Sequence, residues 1–175
     1  MNKFQEMLYQ RRSIRSFADR PVEKETADLL VEAALLSPSS RSLEPWALIV
    51  VDRPELLEEL AAAKEHGSKF LGKAPLALVV LGMPSISDVW IEDCSIVSLL
   101  IQLQAEALGL KSCWIQIRGR RHSEDISSED FVKALLESPR DRSVESIIAV
   151  GYPGETKSAH SREELSFDKV HFNRY

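Results

Sequence analysis

The sequence has little that would indicate an exported, membrane-spanning or metal-binding protein. It contains two cysteines, Cys94 and Cys113, whose separation does not match metal-ligand spacing, so we expect reduced, packed thiols. The amino-terminal residues lack the apolar stretch of a signal peptide, and the longest apolar segment, 94–110, is interrupted by glutamines and a glutamate. These absences predict a soluble, cytoplasmic protein that does not enter a membrane and holds no metal.

Conventional catalytic motifs are absent as well. The histidines lie in separate segments without the HExxH or HxxxH spacing of a zinc site, and GxSxG, the P-loop and GxGxxG do not occur. A formal net charge of −5 disfavours nonspecific binding to nucleic acid. The arginines also form islands rather than the continuous basic face of a nucleic-acid-binding protein. Glu92 and Asp93, at the start of a predicted helix, are interpreted as partners of the helix dipole.

The most informative island is the segment RRSIRSF, residues 11–17. Guanidinium groups carry rigid donor forks that match phosphate oxygens, and the Ser13 hydroxyl can complete such a site beside Arg12. At helical spacing, Arg11 and Arg15 share one face and could bind one anion together. The alternative is a solvated helix end with cations near its carboxyl terminus. An anion site in a chain without its own catalytic set favours a protein whose bound cofactor carries the chemistry.

Hydrophobic periodicity predicts helices and strands in one domain spanning residues 1–175, a length close to that of a typical domain. The predicted helices are 2–11, 23–36, 55–66, 89–108 and 129–137, and the predicted strands are 47–51, 76–81, 112–118 and 144–150. Strand 76–81 is apolar throughout, which indicates burial on both faces. The order predicts an α+β protein with three α/β/α layers around a small mixed, mainly antiparallel sheet.

The predicted helix 89–108 is apolar around most of its circumference. A helix on the surface of a globular protein needs an apolar stripe of only about 100°. Since so small a sheet covers one side of a helix, we expect the other side to be buried in a symmetric dimer. The alternative is a central helix wrapped entirely by its own chain.

Four segments, in their order along the chain, resemble the nitroreductase family: RRSIR at 11–15, SPSSRSLEPW at 37–46, CWIQI at 113–117 and GYPGE at 151–155. Each motif is weak alone, but together they extend over nearly the whole chain. The resemblance implies a nitroreductase-like fold, an obligate homodimer with flavin sites at its interface, and tightly bound FMN. It also implies ping-pong transfer of hydride from NAD(P)H to a small electron-poor acceptor such as a nitroaromatic or a quinone.

By this resemblance the chemistry takes place at N5 of the flavin, and no side chain is assigned a catalytic role. The phosphate and ribityl chain of FMN would be held by Arg11, Arg12 and Ser13, with Arg15 near the N1–O2 edge of the ring. The end of the phosphate site would be formed by Gly151, Tyr152, Pro153, Gly154, His160 and Arg162.

Two further segments would contact the flavin ring. The loop that reaches the flavin bound mainly by the other protomer would contribute Pro38, Ser39, Ser40 and Ser42. The strand against the ring would contribute Trp114, Ile115 and Gln116, with backbone N–H groups near Gln116 facing N5 and O4. The alternatives are that Trp114 is a core aromatic and that Pro38 and Pro153 are turn residues.

The chain also departs from the family pattern. Family members usually carry Asn and Gln where this sequence has Ser42 and Glu44, and many insert a helical lid where only GMPSISD, 82–88, precedes the long helix. We therefore expect a compact member with an open cleft. The loop RGRRH, 118–122, is interpreted as solvated, although it could attract a phosphorylated nicotinamide. The alternative function is a non-catalytic flavin-binding protein that stores flavin or acts as a sensor.

Overall fold

The computed structural model describes all residues from Met1 to Tyr175. The chain forms five α-helices and four β-strands, which alternate from the second helix onward. In chain order they are α1 (Lys3–Gln10), α2 (Lys24–Leu35), β1 (Trp46–Val51), α3 (Pro54–Leu60), β2 (Leu76–Gly82), α4 (Trp90–Ala107), β3 (Lys111–Gln116), α5 (Ser128–Leu135) and β4 (Ser143–Gly151). Short 3₁₀ turns occupy Ser40–Ser42, Lys69–Lys73, Arg162–Glu164 and Phe167–Lys169.

The strands form one sheet in the order β1-β2-β4-β3, and every pairing between them is antiparallel. A single parallel bridge, between Ser13 and Ser112, joins the arginine segment to β3. Helices α2 and α4 cover one face of the sheet, while α3 and α5 cover the other. The predicted three-layer α+β architecture is therefore confirmed, with an antiparallel sheet.

The central position of β2 explains its composition. All seven of its residues are buried, because it is paired on both edges and lies between both helical layers. Val79 and Leu81 pack in the core on the α3 side, and Leu78 and Val80 pack in the core on the α4 side. A strand with two buried faces cannot alternate apolar with polar residues, as the sequence indicated.

The prediction of a helix over 55–66 is wrong in its second half, since α3 ends at Leu60. Beyond it the backbone bonds to tertiary partners instead of continuing the helix. The Ser68 hydroxyl donates to the carbonyl of Ala61 at 2.8 Å, and the N–H of Glu65 donates to the carbonyl of Arg121 at 3.2 Å. These bonds take the carbonyl and the N–H that would otherwise pair within the helix.

Within one chain, α4 is buried on the side that faces the sheet and α2. Its opposite side leaves Ile96 and Leu99 exposed, at 39% and 46% of their surface. The carboxyl end of the neighbouring α2 adds Leu35 and the following Leu36, which are 59% and 81% exposed. The chain by itself therefore does not wrap the helix. None of the helices is long and apolar enough to cross a membrane.

Candidate functional site

The arginine segment lies against the start of β3. Ile14, with 2% of its surface exposed, inserts into the protein, and its N–H donates to the carbonyl of Ser112 at 3.1 Å. Alternation along this extended segment leaves the neighbouring Arg15 exposed and Ser13 half-buried. The apolar side chain of Ile14 thus anchors the segment and keeps its polar groups at the surface.

The segment 151–157 runs beside the arginine segment on its other edge. Phe17 pairs with Pro153 in an antiparallel bridge, and the N–H of Gly154 donates to the carbonyl of Ser16 at 2.8 Å. A Cβ placed on Gly154 would lie 2.7 Å from the backbone carbonyl carbon of Phe17. Glycine is required at this position because the two backbones approach too closely for any side chain.

Three polar contacts fasten the two segments together. The N–H of Arg15 donates to Oε1 of Glu155 at 2.7 Å, and Nζ of Lys157 donates to the carbonyl of Ser13 at 2.6 Å. Arg12 donates from its guanidinium to the carbonyl of Ser158, the residue directly after the segment 151–157. The hydrogen bond from Arg15 holds the pKa of Glu155 below the ordinary glutamate value. Sequence reasoning missed Glu155, the last residue of the GYPGE motif, and did not single out Lys157 among the basic residues that follow it.

The resulting surface carries unpaired positive charge. The guanidinium groups of Arg11, Arg12 and Arg15 have no carboxylate within 4.0 Å, whereas the ammonium of Lys157 lies 3.6 Å from Glu155. Unpaired guanidinium groups clustered in an acidic protein form a donor set suited to a phosphate or another oxyanion. The residues present therefore fit the phosphate end of a nucleotide cofactor.

His160 and Arg162 lie farther along α1. The N–H of His160 donates to the carbonyl of Tyr9 at 2.9 Å, and its ring pairs with Glu164 at 2.9 Å. The guanidinium of Arg162 sits 5.1 Å above the ring of Phe167. Both residues line a cavity of about 550 Å³ beside α1. Whether either contacts a phosphate stays a prediction.

The three residues predicted on β3 divide between the two sides of the sheet. Trp114 packs against the core under α4, whereas Ile115, with 1% of its surface exposed, lies in the core on the α3 side. The side chain of Ile115 is therefore not available to a ligand on the Trp114 side. Nε1 of Trp114 donates to Oε1 of Gln116 at 2.9 Å, so the two predicted polar groups contact each other.

Sequence reasoning missed the glutamate that holds Gln116. Glu145 on β4 is 3% exposed, and its carboxylate accepts from Nε of Arg118 at 2.7 Å and from Nε2 of Gln116 at 3.3 Å. The available signal was the one charged residue in the mainly apolar stretch VESIIAV, 144–150. Charged residues are almost never fully buried unless they are paired.

The predicted loop 37–46 has an unusual backbone. Arg41, Ser42 and Glu44 have φ values of 54°, 52° and 47°, in the left-handed region that favours glycine and asparagine. None of these three residues is glycine or asparagine, so their backbone conformations add local strain. The N–H of Glu44 donates to Oγ of Ser39 at 3.0 Å, and Arg41 pairs with Asp88.

Asp93 ties this loop to α4, and its interpretation as a simple dipole partner is incomplete. Its Oδ1 accepts from the N–H of Ser40 at 3.0 Å, while Oδ2 is buried without a hydrogen-bond partner. The residue is 3% exposed. A buried carboxylate with one free oxygen fixes the loop at the amino-terminal end of α4. Pro38, in the same loop, is exposed.

Gly151 and Tyr152 continue from the end of β4. A Cβ on Gly151 would lie 2.7 Å from the ring of Pro75, so this position also excludes a side chain. The hydroxyl of Tyr152 donates to Glu23 at 2.8 Å, and the guanidinium of Arg20 stacks 3.7 Å from the ring centre. The bond to Glu23 raises the pKa of Tyr152. Its side chain therefore points to α2 and not to the arginine segment.

Comparisons with known proteins agree with this arrangement. A sequence model of the nitroreductase family matches residues 8–152. The solved structure of an FMN-dependent nitroreductase from Clostridium difficile R20291 is 46% identical, with a TM-score of 0.95 over 97% of this chain and 98% of that one. An Archaeoglobus fulgidus protein provisionally named NADH dehydrogenase/NAD(P)H nitroreductase is 32% identical over 100% of both chains. The Vibrio harveyi NADPH:FMN oxidoreductase, solved with NAD⁺, shares the fold, with 24% identity, a TM-score of 0.83, and coverage of 99% and 78%.

Proposed function

Because the chain belongs to the nitroreductase family, we propose that it is a homodimeric, FMN-dependent NAD(P)H oxidoreductase that works by a ping-pong mechanism. Family membership and the names of its full-length relatives support the flavin oxidoreductase class. The acceptor we propose is a small electron-poor molecule, such as a nitroaromatic or a quinone.

One observation carries the proposal: the arginine segment and the segment 151–157 form a single cationic surface at the start of β3. Two stretches from opposite ends of the chain are fastened there by the bonds from Arg15 to Glu155 and from Lys157 to Ser13. A surface of unpaired guanidinium groups beside a strand of the central sheet is suited to a ligand with a phosphate at one end and a planar ring.

In this proposal Arg11, Arg12 and Ser13 hold the phosphate, and Lys157 adds positive charge beside them. The guanidinium of Arg15 lies farther along the segment, toward the N1–O2 edge of the ring. Bound FMN would supply the two-electron chemistry, taking hydride from the reduced nicotinamide and giving it to the acceptor. The chain contributes position and electrostatics, so it needs no nucleophile or general acid of its own.

The strand and the loop have separate roles in binding the ring. The half-exposed stretch at Trp114 and Gln116 offers its backbone N–H groups to the flavin N5–O4 edge, as the resemblance implies. The loop residues Pro38, Ser39, Ser40 and Ser42 would contact the flavin of the partner protomer. The bond from the Ser40 N–H to Asp93 supports this role by holding the loop in one conformation.

The exposed apolar side of α4 supports the homodimer. Ile96 and Leu99, together with Leu35 and Leu36, leave apolar surface uncovered on two adjacent helices. Burial of apolar surface is the main driving force of association. A second copy of the chain would cover this surface and bring each loop to the other protomer's flavin.

Anaerobic reduction tests the proposed function against a flavin store or sensor. Purified protein loaded with FMN is mixed with NADH or NADPH under nitrogen, and the flavin absorbance is followed. Rapid bleaching, followed by recovery when a quinone is added after the nicotinamide has been removed, is the expected ping-pong behaviour. Protein that binds FMN but is not reduced by either nicotinamide would contradict the reductase and support the alternative.

A further inference from the structure

The buried Glu145 lies at an irregularity of the central sheet. Between β2 and β4, Val80 pairs with Ser146 but the next residue, Leu81, pairs with Val144. Glu145 is therefore the extra residue of a β-bulge and has no partner on β2. Bulges re-aim a side chain at the expense of regular ladder bonds, and they are frequent next to active sites.

The redirected side chain connects four residues in a line. Arg118 donates to Oε2 of Glu145 at 2.7 Å, and Oε1 accepts from Nε2 of Gln116 at 3.3 Å. The carbonyl oxygens of Glu145 and Arg118 also accept from Nε2 of Gln116, at 3.3 Å and 3.2 Å. Oε1 of Gln116 in turn accepts from the indole of Trp114 at 2.9 Å. We call this line the Glu145 network.

Hydrogen-bond chemistry fixes the Gln116 amide in one orientation. The indole of Trp114 can only donate, so the amide oxygen must face it. The amide nitrogen then faces the carboxylate and the carbonyl of Glu145 and the carbonyl of Arg118, which only accept. Reversing the amide would oppose donor to donor and acceptor to acceptor, so no second arrangement satisfies the network.

The network also sits on a rigid base. Nearby on β4, Oγ of Ser146 lies 2.8 Å from Oγ of Ser98 on α4, and both hydroxyls are fully buried. The carbonyl of Glu145 receives further bonds at 3.2 Å from the N–H groups of Ile117 and Arg118. The backbone that directly follows β3 is therefore bonded to Glu145, as is the Gln116 side chain.

We propose that Glu145 is a positioning residue that holds Gln116 and Trp114 in place for the flavin ring. This inference rests on the proposed function, in which the Trp114–Gln116 stretch lies against the ring. Burying a carboxylate costs desolvation free energy unless it is paired. An apolar residue of similar volume at position 145 would avoid that cost. Because Glu145 orients groups that face the ligand, we expect its replacement to change the properties of the bound flavin as well as the stability of the fold.

The test compares Glu145→Gln with a matched control, Glu106→Gln. The Glu106 carboxylate is also nearly buried, at 4% exposure, and it pairs with Lys111 at the opposite end of β3. The first readout is the ¹⁵N–¹H signal of the Trp114 indole in the flavin-free protein, assigned with Trp114→Phe. The other readouts are the visible spectrum of bound FMN, its midpoint potential, and the separate effects of each substitution on kcat and on KM.

We expect Glu145→Gln to move the Trp114 indole signal and the flavin absorption band, and to make the midpoint potential more positive because a negative charge is lost. We expect kcat to fall about tenfold, the effect of one charge-assisted hydrogen bond, while Glu106→Gln changes none of these properties. An unchanged indole signal, band and potential in Glu145→Gln would overturn the proposal.

If Glu145→Gln does not fold, Gln116→Met is the second variant. Gln116→Met removes the hydrogen bonds that connect Glu145 to Trp114 and leaves the ion pair between Glu145 and Arg118 intact. It should shift the same indole signal and flavin band, and unchanged signals would overturn the proposal. Failure of the unmodified protein to bind FMN would instead contradict the proposed function. The indole signal would still report on the Glu145 network in that case.

Discussion

The backbone N–H of Arg15 donates a hydrogen bond of 2.7 Å to the carboxylate of Glu155, joining residues that lie 140 positions apart. The same carboxylate lies 3.6 Å from the ammonium of Lys157. One side chain thereby holds the two ends of the cationic surface together. It takes no direct part in binding an anion, since it is itself negatively charged.

The first prediction concerns the pH dependence of this contact. The bond from Arg15 lowers the pKa of Glu155, so the folded chain favours the ionised carboxylate. Its stabilising contribution is therefore complete above the ordinary glutamate pKa and is lost as pH falls through the lowered value. In urea unfolding between pH 7 and pH 3, the free energy of unfolding of Glu155→Gln should therefore fall less with decreasing pH than that of the unmodified protein. Identical pH slopes would mean that the contact does not stabilise the fold.

The second prediction concerns the phosphate. Contacts to an ionised group contribute roughly 1.5–3 kcal/mol each, so Arg12→Ala should weaken FMN binding by roughly 10- to 100-fold. Riboflavin lacks the phosphate, and its weaker binding should be nearly unaffected. Calorimetry with both ligands separates a lost phosphate contact from a disturbed site, since Arg12 also bonds to Ser158. The control is Arg140→Ala, an exposed arginine in the turn before β4. Equal loss of both ligands would reject the assignment.

The third prediction concerns assembly. Leu99→Glu places a charge on the exposed apolar side of α4, and burying it unpaired at an interface should block association. FMN should be released when the dimer dissociates, because the loop of each protomer would no longer reach the other's flavin. Ile126→Glu is the control, since Ile126 is equally exposed, at 45%, but lies outside this surface. Light scattering and flavin absorbance measure both effects; a monomer with stoichiometric FMN would refute the shared site.

The fourth prediction concerns the redox potential. Two-electron reduction leaves negative charge near N1 and O2, which a nearby guanidinium stabilises. Coulomb's law gives an upper figure of about 4 kcal/mol at ~4 Å and an effective dielectric of ~20, reduced by solvent to about 1–2 kcal/mol. Arg15→Ala should therefore lower the midpoint potential by about 20–45 mV, whereas Arg12→Ala should leave it nearly unchanged. Spectroelectrochemical titration at saturating FMN tests this prediction. An unchanged potential in Arg15→Ala would mean that Arg15 does not lie near the N1–O2 edge of the ring.

The fifth prediction concerns Cys94. Burial raises the pKa of this thiol to about 12, whereas the same thiol in the unfolded chain has a pKa near 9. Between these two pH values the thiol is protonated in the folded chain and ionised in the unfolded chain. Stability should therefore be intact below pH 9 and decline as the pH rises toward 12. Cys94→Ala should lack that part of the decline in alkaline urea titrations. Neither Cys94 nor Cys113, both free and buried, should react with a thiol reagent until the protein unfolds.

Several features of the fold were predictable because neighbouring residues encode them. The apolar run of β2 indicated a strand buried on both faces, and α4 begins and ends within a residue of the predicted limits. Gly109, with φ at 75°, ends that helix as a glycine cap should. The end of α3 was not predictable, because the bonds from Ser68 and Glu65 that end it involve residues outside the helix.

The same division applies to the candidate site. The sequence by itself determined the cluster of three arginines in residues 11–17, the family, and hence the flavin chemistry, because charge density and motif order are properties of the linear chain. Only the tertiary structure decided that Glu155 and Lys157 fasten that segment, and that Ile115 faces the α3 side of the sheet whereas Trp114 faces the α4 side. It alone revealed the contacts of Asp93 and Glu145, since a carboxylate acquires its partners only when distant strands, helices and loops meet.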